Sequence, residues 1–288
     1  MTTVALIGLG AMGTPMVNRL IEGGYEVVGF DVSPEARARV AALGARSVET
    51  VVEAVAAADT VILMLPNSDV VNSVVLNVDV LSIASGKHFI DMSSSEPLRT
   101  QSLAAQLNGV GATLIDAPVS GGVKGAVNGT LTIMVGGESA VVESSRRLLE
   151  CFGRVVYVGA VGSGHAVKAL NNLLSATHLL ITGEAMVAGE KFGLDPKIML
   201  EVFNSSSGKS GSTENKWPNF ILPETFNTGF ALRLMLKDMR IATSLAAAQG
   251  TPIALGDEAV TLWAEAAEEL APTADHTEIA RWLESRAP

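Results

Sequence analysis

Val4-Ala5-Leu6-Ile7-Gly8-Leu9-Gly10-Ala11-Met12-Gly13 is the stretch that decides the fold of the first half of the chain. Its first four residues are a short apolar run, as expected for a buried β-strand. Three glycines follow, and the residues after them have the composition of an α-helix, with Pro15 in the first turn, where proline is tolerated. A strand, a glycine-rich turn and a helix in this order predict the start of a βαβ unit.

The glycine spacing G-x-G-x-x-G gives this turn a specific chemistry. Gly8 permits the tight turn, Gly10 lets the main chain approach a pyrophosphate, and Gly13 lets helix and strand pack closely. The unpaired N–H groups of the helix then face the phosphates. A merely structural turn is the alternative. The candidate cofactor contacts of the turn are Gly8, Leu9, Gly10, Ala11, Met12 and Gly13.

Asp31 ends the second predicted strand, residues 25–31, where the adenosine ribose of a dinucleotide would lie. A carboxylate there accepts hydrogen bonds from the ribose hydroxyls and repels a 2′-phosphate, which favours NAD over NADP. Arg37 and Arg39 lie on the next helix and keep NADP open as the alternative. Asp31 could also be only a helix cap, although Ser33 suits that role better.

Apolar strand-like runs then alternate with helical segments. Such alternation predicts an α/β fold with a doubly wound, mostly parallel sheet. Ligands of these sheets lie beyond the carboxyl ends of the strands, where Leu65, Pro66 and Ser94 are expected. The further strands are predicted at residues 60–65, 88–91, 112–116 and 131–135.

The segment Asp116-Ala117-Pro118-Val119-Ser120-Gly121-Gly122 follows the strand predicted at 112–116. Ser120 offers a hydroxyl, and the two glycines expose main-chain N–H groups, so such a loop can hold a carboxylate. From the spacing alone a plain turn is equally compatible.

A proline-free run from residue 164 to about residue 192 predicts one long helix, and the residues beyond it have almost purely helical patterns. We therefore predict two domains, 1–162 for dinucleotide binding and 163–288 all-helical, with the long helix between them. Lys168, Asn172 and Ser175 form one polar stripe on that helix. Lys168 is either a functional group at the domain junction or an ion-pair partner on a helix surface.

The composition excludes several classes of function. A net charge of −10 argues against nucleic acid and anionic membranes as partners. The single cysteine, Cys151, excludes an internal disulfide framework and leaves a thiolate zinc site without ligands, so no metal site is expected. No signal-peptide pattern or long apolar run is found, which indicates a soluble cytoplasmic protein.

Four segments together resemble one family, the β-hydroxyacid dehydrogenases, typified by 3-hydroxyisobutyrate dehydrogenase and tartronate semialdehyde reductase. The resemblance covers essentially the whole chain, and its motifs occur in the family's order. It implies an N-terminal Rossmann domain, an all-α C-terminal domain and a homodimer or homotetramer built through the helical part. The segments are GLGAMGTPMVNRL at 8–20, DAPVSGG at 116–122, GSGHAVKALNN at 162–172 and LMLKD at 234–238.

The resemblance also implies roles for individual residues. Lys168 matches the family's catalytic lysine, and Asn172 matches the helix residue that orients the substrate. Lys237 and Asp238 match a pair near the nicotinamide, with the lysine closing over cofactor or substrate. His165 departs from the family, where glutamine is commoner, and is either a substrate contact or only a helix-start substitution. Ser120, Gly121 and Gly122 match the carboxylate-binding loop, and Leu65, Pro66 and Ser94 match cofactor contacts.

The expected activity is therefore NAD-dependent hydride transfer between a small, carboxylate-bearing β-hydroxyacid and its semialdehyde, with Lys168 as general acid and base. The alternatives within enzymes are an imine reductase, which usually lacks this lysine, and a promiscuous aldehyde reductase. A 6-phosphogluconate dehydrogenase would need a much longer helical domain. A non-catalytic dinucleotide sensor would keep the glycines but would not need Lys168 or Ser120.

Overall fold

Short runs of buried apolar residues form the central sheet of the first half of the chain. The structure is a computed structural model, and it describes residues 2–286. In the strand Thr60–Leu63, Val61 and Leu63 pack into one apolar cluster and Ile62 into another, and all three are fully buried. Burial on both faces of a sheet is typical of an α/β protein, and each such side chain contributes about 1.5–3 kcal/mol.

The sheet has nine strands among the described residues, in the order β3-β2-β1-β4-β5-β6-β8-β7, with β9 paired to β8. The pairs from β3 to β6 are parallel, as predicted, and β8 runs antiparallel to both β6 and β7. The strands are β1 Thr3–Ile7, β2 Glu26–Phe30, β3 Arg46–Ser47, β4 Thr60–Leu63, β5 His88–Asp91, β6 Thr113–Asp116, β7 Val119–Ser120, β8 Leu131–Gly136 and β9 Gly153–Gly159.

The reversal at β8 determines where the chain leaves the sheet. The last residue of β6, Asp116, pairs with the last residue of β8, Gly136, and β9 runs parallel to β8. The end of β9 therefore lies at the carboxyl edge of β6, and the next helix begins there. The helices up to this point are α1 Gly13–Glu22, α2 Pro34–Ala42, α3 Val51–Ala56, α4 Ser68–Val75, α5 Val78–Ser82, α6 Pro97–Gly109, α7 Gly122–Asn128 and α8 Ser139–Leu149.

The long helix α9, Ser163–Phe192, is continuous over 30 residues, as the proline-free run predicts. The chain divides into two compact units, Met1–Lys168 and Ala169–Pro288. The second unit has its own core, centred on Met186, Met239 and Trp263, which are fully buried. Its further elements are α10 Pro196–Asn204, a π-helix Ser212–Ile221, α11 Leu232–Ala248, α12 Ala254–Glu269, a 3₁₀ turn His276–Glu278 and α13 Ile279–Ser285.

Some elements differ from the sequence-based prediction. The polar, glycine-containing sequence of residues 205–212 predicts a loop, but Ser212 already begins the π-helix, at whose end the N–H of Leu222 donates to the carbonyl of Trp217. Each turn of a π-helix holds one residue more than a helical pattern assumes, and Pro218 within it reads as a helix breaker. The apolar spacing of residues 230–249 predicts a helix, and the observed helix α11 runs from Leu232 to Ala248.

A helix that spans a bilayer must be both long and apolar. Over residues 2–286, none of the helices combines the length and apolar character that crossing a membrane requires.

Candidate active site

The glycine-rich turn joins β1 to α1. Gly8 has a φ of +98°, and a Cβ on it would collide with the carbonyl oxygen of Met64, while a Cβ on Gly13 would collide with the carbonyl oxygen of Gly8. A Cβ on Gly10 would meet none of the described residues within 4 Å. No side chain caps the first turn of α1 within the described part of the chain. The turn is thus closely packed at Gly8 and Gly13, and it is open at Gly10, with helix N–H groups available to an anion.

Asp31 directly follows β2, and its carboxylate is fixed against this turn. One oxygen accepts the N–H of Leu9 at 2.7 Å and the other accepts the N–H of Ser33 at 2.8 Å. Ser33 itself caps α2 through its hydroxyl, as predicted. Arg37 donates to the carbonyl of Asp31 at 2.8 Å and pairs with Glu49 at 2.7 Å. The carboxylate and the glycine turn therefore form one unit, beside a guanidinium that already has an acidic partner.

The carboxyl ends of β4 and β5 are joined by a serine. The N–H of Leu65 donates to the hydroxyl of Ser93 at 2.9 Å, and the N–H of Ser93 donates to Asp91 at 3.0 Å. Asp91 also accepts the hydroxyl of Ser95 at 2.8 Å. These bonds fix the two loops that carry the predicted cofactor contacts Leu65, Pro66 and Ser94.

The predicted carboxylate-binding loop follows the short strand β7. Ser120 pairs with Thr132 of β8, and Gly121 and Gly122 have φ angles of +131° and +62°. Residues with a Cβ rarely adopt such angles, so both positions favour glycine. A Cβ on Gly122 would meet none of the described residues within 4 Å. The loop is thus open at Gly122, whereas a Cβ on Gly121 would lie 3.1 Å from a methyl group of Leu131.

Asp116 anchors the start of α9 to the sheet. It is fully buried at the end of β6, and its two oxygens accept the N–H of Gly162 at 2.6 Å and of His165 at 2.8 Å. Burial raises the pKa of this carboxyl, while His165 and the two N–H groups oppose that rise. A carboxylate at a helix start also interacts favourably with the helix dipole.

The first turns of α9 carry His165 and Lys168, which are 1% and 8% exposed. His165 was expected to be a helix-start substitution or a substrate contact. It lies in the first turn of α9, and its ring is buried in the first unit, at 2.9 Å from the hydroxyl of Thr100 and 3.2 Å from the carbonyl of Ser93. Lys168 lies one helical turn further on, and its burial disfavours the alternative of a surface ion pair.

A second polar cluster lies within the second unit. Asn172 donates to Asp238 at 2.6 Å, and Lys237 pairs with the other oxygen of Asp238 at 3.1 Å. A Lys-Asp pair in a helix is usually solvated, yet Asp238 is only 2% exposed. Asp238 therefore fixes the side chains of both residues to which the resemblance assigns substrate contacts.

The predicted site residues are held in place by side chains to which the sequence assigned no role. The glycine turn, Asp31 and Leu65 are connected in the first unit, and Asn172 and Lys237 are connected in the second. The anchors Asp91, Asp116 and Ser93 had no assigned role. The sequence did indicate these anchors, because each lies at or just after the carboxyl end of a predicted strand, where the ligand-binding residues of an α/β sheet are found.

Comparison with known proteins adds an independent finding. Residues 3–162 match the family described as the NAD binding domain of 6-phosphogluconate dehydrogenase. Residues 162–283 match the family described as the NAD-binding domain of NADP-dependent 3-hydroxyisobutyrate dehydrogenase. The two matches cover both structural units.

Individual relatives agree. The bovine mitochondrial 3-hydroxyisobutyrate dehydrogenase is 39% identical over 269 residues, which cover 90% of this chain and 80% of the relative. The 2-(hydroxymethyl)glutarate dehydrogenase of Eubacterium barkeri is 42% identical over 242 residues, covering 83% and 80%. The solved structure of 3-hydroxyisobutyrate dehydrogenase from Mycobacterium tuberculosis with L-serine superimposes with a TM-score of 0.94 at 36% identity, and 100% of each chain is covered. The chain therefore belongs to the β-hydroxyacid dehydrogenase family, and it is an oxidoreductase with a Rossmann fold that binds a nicotinamide dinucleotide.

Proposed function

We propose that this chain is an NAD-dependent dehydrogenase that interconverts a small β-hydroxyacid and its semialdehyde, with Lys168 as the general acid and base. The observation that carries the proposal is the position of Lys168. It is 8% exposed and lies one turn after the helix start that Asp116 fixes to the carboxyl edge of the sheet. Lysine in a low-dielectric site can exchange a proton near neutral pH.

The nicotinamide, when bound, accepts or donates the hydride. The chain supplies the position of the substrate and the proton. In the oxidation direction, the amine of Lys168 takes the hydroxyl proton as the carbonyl forms. In the reduction direction, the ammonium returns that proton to the developing alkoxide. Asn172, fixed by Asp238, orients the substrate oxygen one helical turn from Lys168.

Asp31 supports NAD as the cofactor. Its carboxylate is attached to the glycine turn through Leu9, so its negative charge stays at the site expected for the ribose. Arg37 is paired with Glu49, which weakens its availability for a 2′-phosphate.

The substrate we propose carries a carboxylate, which the main-chain donors around Ser120, Gly121 and Gly122 would hold. Lys237, beside Asp238, would close over cofactor or substrate. The relatives act, by their names, on 3-hydroxyisobutyrate and 2-(hydroxymethyl)glutarate, both small hydroxyacids. Lys168 argues against an imine reductase, which usually lacks this lysine, and against a non-catalytic dinucleotide sensor, which would not need it.

For the organisation of the chain, we propose residues 1–162 as the dinucleotide-binding domain and 163–288 as the substrate and oligomerisation domain. An exposed apolar stripe on α9 supports a homodimer or homotetramer through the helical part. Leu170, Leu174 and Ile181 are 41%, 60% and 57% exposed. Surface of this kind commonly marks a protein interface.

The proposal is tested by measuring NAD⁺ reduction with 3-hydroxyisobutyrate, 2-(hydroxymethyl)glutarate, glycerate, L-serine, 3-hydroxypropionate and threonate. With the best substrate, Lys168→Ala and Lys168→Met should lower kcat by about 10²–10⁴-fold, roughly 3–5 kcal/mol of barrier. Lys168→Arg should not restore it, since guanidinium hardly deprotonates. Asn172→Ala should be milder, because the proton donor stays. Lys197→Ala, an exposed lysine of α10, is the matched control and should leave kcat unchanged. If Lys168→Ala keeps more than about a tenth of the turnover, the proton comes from another group.

A further inference from the structure

Lys216 is a charged side chain of the second unit to which the proposed mechanism assigns no role. It lies in the π-helix Ser212–Ile221, and both Lys216 and Ser175 of α9 are partly exposed. Its Nζ is 2.7 Å from the hydroxyl oxygen of Ser175 and 3.5 Å from the carbonyl oxygen of the same residue. This lysine therefore joins the π-helix to α9, and π-helical turns are frequent at functional sites.

The ammonium of Lys216 has no acidic partner in the described part of the chain, where no carboxylate lies within 4 Å of Nζ. Burial lowers the pKa of this lysine to about 8, while the charge of Asp275 opposes the shift. Asp275 itself accepts the hydroxyls of Thr228 and Thr277, at 2.7 and 2.6 Å. The lysine is thus still mainly protonated at pH 7, and a partly buried cation without a counterion is costly.

Hydrogen-bond donors also remain at this position. An ammonium has three N–H groups, and among residues 2–286 the ammonium of Lys216 donates only to Ser175. The hydroxyl of Ser175 accepts one of these bonds, and its own proton is not donated to any described residue. Lys216 and Ser175 thus offer a positive charge together with hydrogen-bond donors, which is the chemistry that binds a carboxylate.

The position of Ser175 relates this pair to the substrate. Ser175 follows Asn172 by three residues on the continuous helix α9, so the two side chains lie on one face, with Cβ atoms about 5–6 Å apart. Asn172 is fixed by Asp238 at 2.6 Å, and in the proposed function it orients the substrate. A short carbon chain can bridge the distance between neighbouring side chains of one helix face. A substrate oriented by Asn172 can therefore reach Lys216 and Ser175 with a second arm.

We propose that Lys216 and Ser175 form a subsite for a second carboxylate, so that the substrates of this enzyme are dicarboxylic β-hydroxyacids. The proposal rests on the proposed function, because it takes Asn172 as the residue that orients the substrate. A dicarboxylic acid supplies the anion that the described residues do not supply to Lys216, whereas a monocarboxylic acid leaves the subsite to water. One relative is named for an acid of this class, 2-(hydroxymethyl)glutarate.

The kinetic test compares a dicarboxylic and a monocarboxylic substrate, 2-(hydroxymethyl)glutarate and 3-hydroxyisobutyrate. The wild type should have the higher kcat/KM for the dicarboxylic acid. Lys216→Gln removes the charge and keeps a donor, and it should lower that kcat/KM by about 10–100-fold and leave the value for 3-hydroxyisobutyrate nearly unchanged. Lys209→Gln is the matched control and should change neither value, since Lys209 is an exposed lysine just before the same π-helix, paired with Glu214 at 2.7 Å. A lysine that only holds the π-helix against α9 would instead lower both values together in Lys216→Gln, and that result would overturn the proposal.

A binding measurement separates this proposal from the proposed function, because it needs no turnover. Calorimetric titration of the NAD complex of Lys168→Ala compares glutarate with pentanoate, which have equal numbers of carbon atoms and differ by one carboxylate. We expect glutarate to bind about 10–100-fold more tightly, and we expect Lys216→Gln in the same background to remove this difference. The proposal is also overturned if glutarate binds no more tightly than pentanoate, or if Lys216→Gln leaves the difference in place. Retained turnover in Lys168→Ala would refute the proton transfer by that lysine and would not change this difference in binding.

Discussion

Replacing Gly8 by alanine should destabilise the chain, and replacing Gly10 should not. At Gly8, φ is +98° and the new Cβ would collide with the carbonyl oxygen of Met64 and lie 3.2 Å from a methyl group of Leu65. A left-handed backbone destabilises a residue that has a Cβ by about 1–2 kcal/mol, and overpacking destabilises the folded chain by about another 1–3 kcal/mol. We therefore expect Gly8→Ala to lower the free energy of unfolding by about 2–5 kcal/mol, a large part of the stability of an ordinary domain.

Gly10 provides the matched control on the same turn. Its φ lies outside the left-handed region, and an added Cβ meets none of the described residues within 4 Å. Gly10→Ala should keep the wild-type unfolding free energy and weaken NAD binding, since the methyl group occupies the space that a pyrophosphate needs. Urea unfolding without cofactor and calorimetric titration with NAD measure the two effects separately. Equal unfolding free energies for Gly8→Ala and wild type would refute the packing argument. An unchanged NAD affinity in Gly10→Ala would refute the assignment of the turn.

Three further outcomes are expected. Asp31→Ser should narrow the preference for NAD over NADP in kcat/KM, and an unchanged ratio, or a wild type that prefers NADP, contradicts the role of the carboxylate. Gly122→Val should raise KM for the hydroxyacid and leave NAD affinity nearly intact, because the φ of +62° is unfavourable for valine. Equal activity of the wild type on the acid and on its amide would argue against a carboxylate site. Burial lowers the pKa of His88 from 6.5 to about 4. Between these pH values the unfolded chain binds a proton at this histidine and the folded chain does not. The free energy of unfolding contributed by the neutral His88 is therefore lost as the pH falls from 6.5 to about 4. The stability of His88→Gln should fall less than that of the wild type over this range, which thermal scans of both proteins would measure.

The parallel part of the sheet could be predicted from the sequence because its strands are apolar on both faces. The strand β5 was predicted with its observed bounds, His88–Asp91, and β4 was predicted within two residues. The short strands β3 and β7 have two residues each, too few to form a pattern. β9 was not predicted, although its run Val155-Val156-Tyr157-Val158 has the β-branched and aromatic composition of a strand.

The anchoring of the candidate site could not be predicted in the same way. Thr100 and His165 are separated by 65 residues, and Asp116 and Gly162 by 46, so these bonds depend on the sheet order rather than on local patterns. The reversal at β8 brings the chain back to β6, and no local signal specifies the antiparallel pairs that β8 forms with β6 and β7. The roles of Lys168 and Ser120 came from the resemblance to a family, and they stay predictions.

The continuity of α9 limits how chains of this kind can change in length. A residue inserted between Lys168 and Asn172 would rotate every following side chain by about 100° and advance it by about 1.5 Å. Lys168 and Asn172 would then be five residues apart instead of four, and they would no longer lie on the same face of α9. Insertions in the polar segment at 205–211 have no such effect, because a surface loop absorbs added residues without turning its neighbours. Descendants of this sequence are therefore expected to vary in length around residues 205–211 and to keep the length of the first turns of α9 fixed.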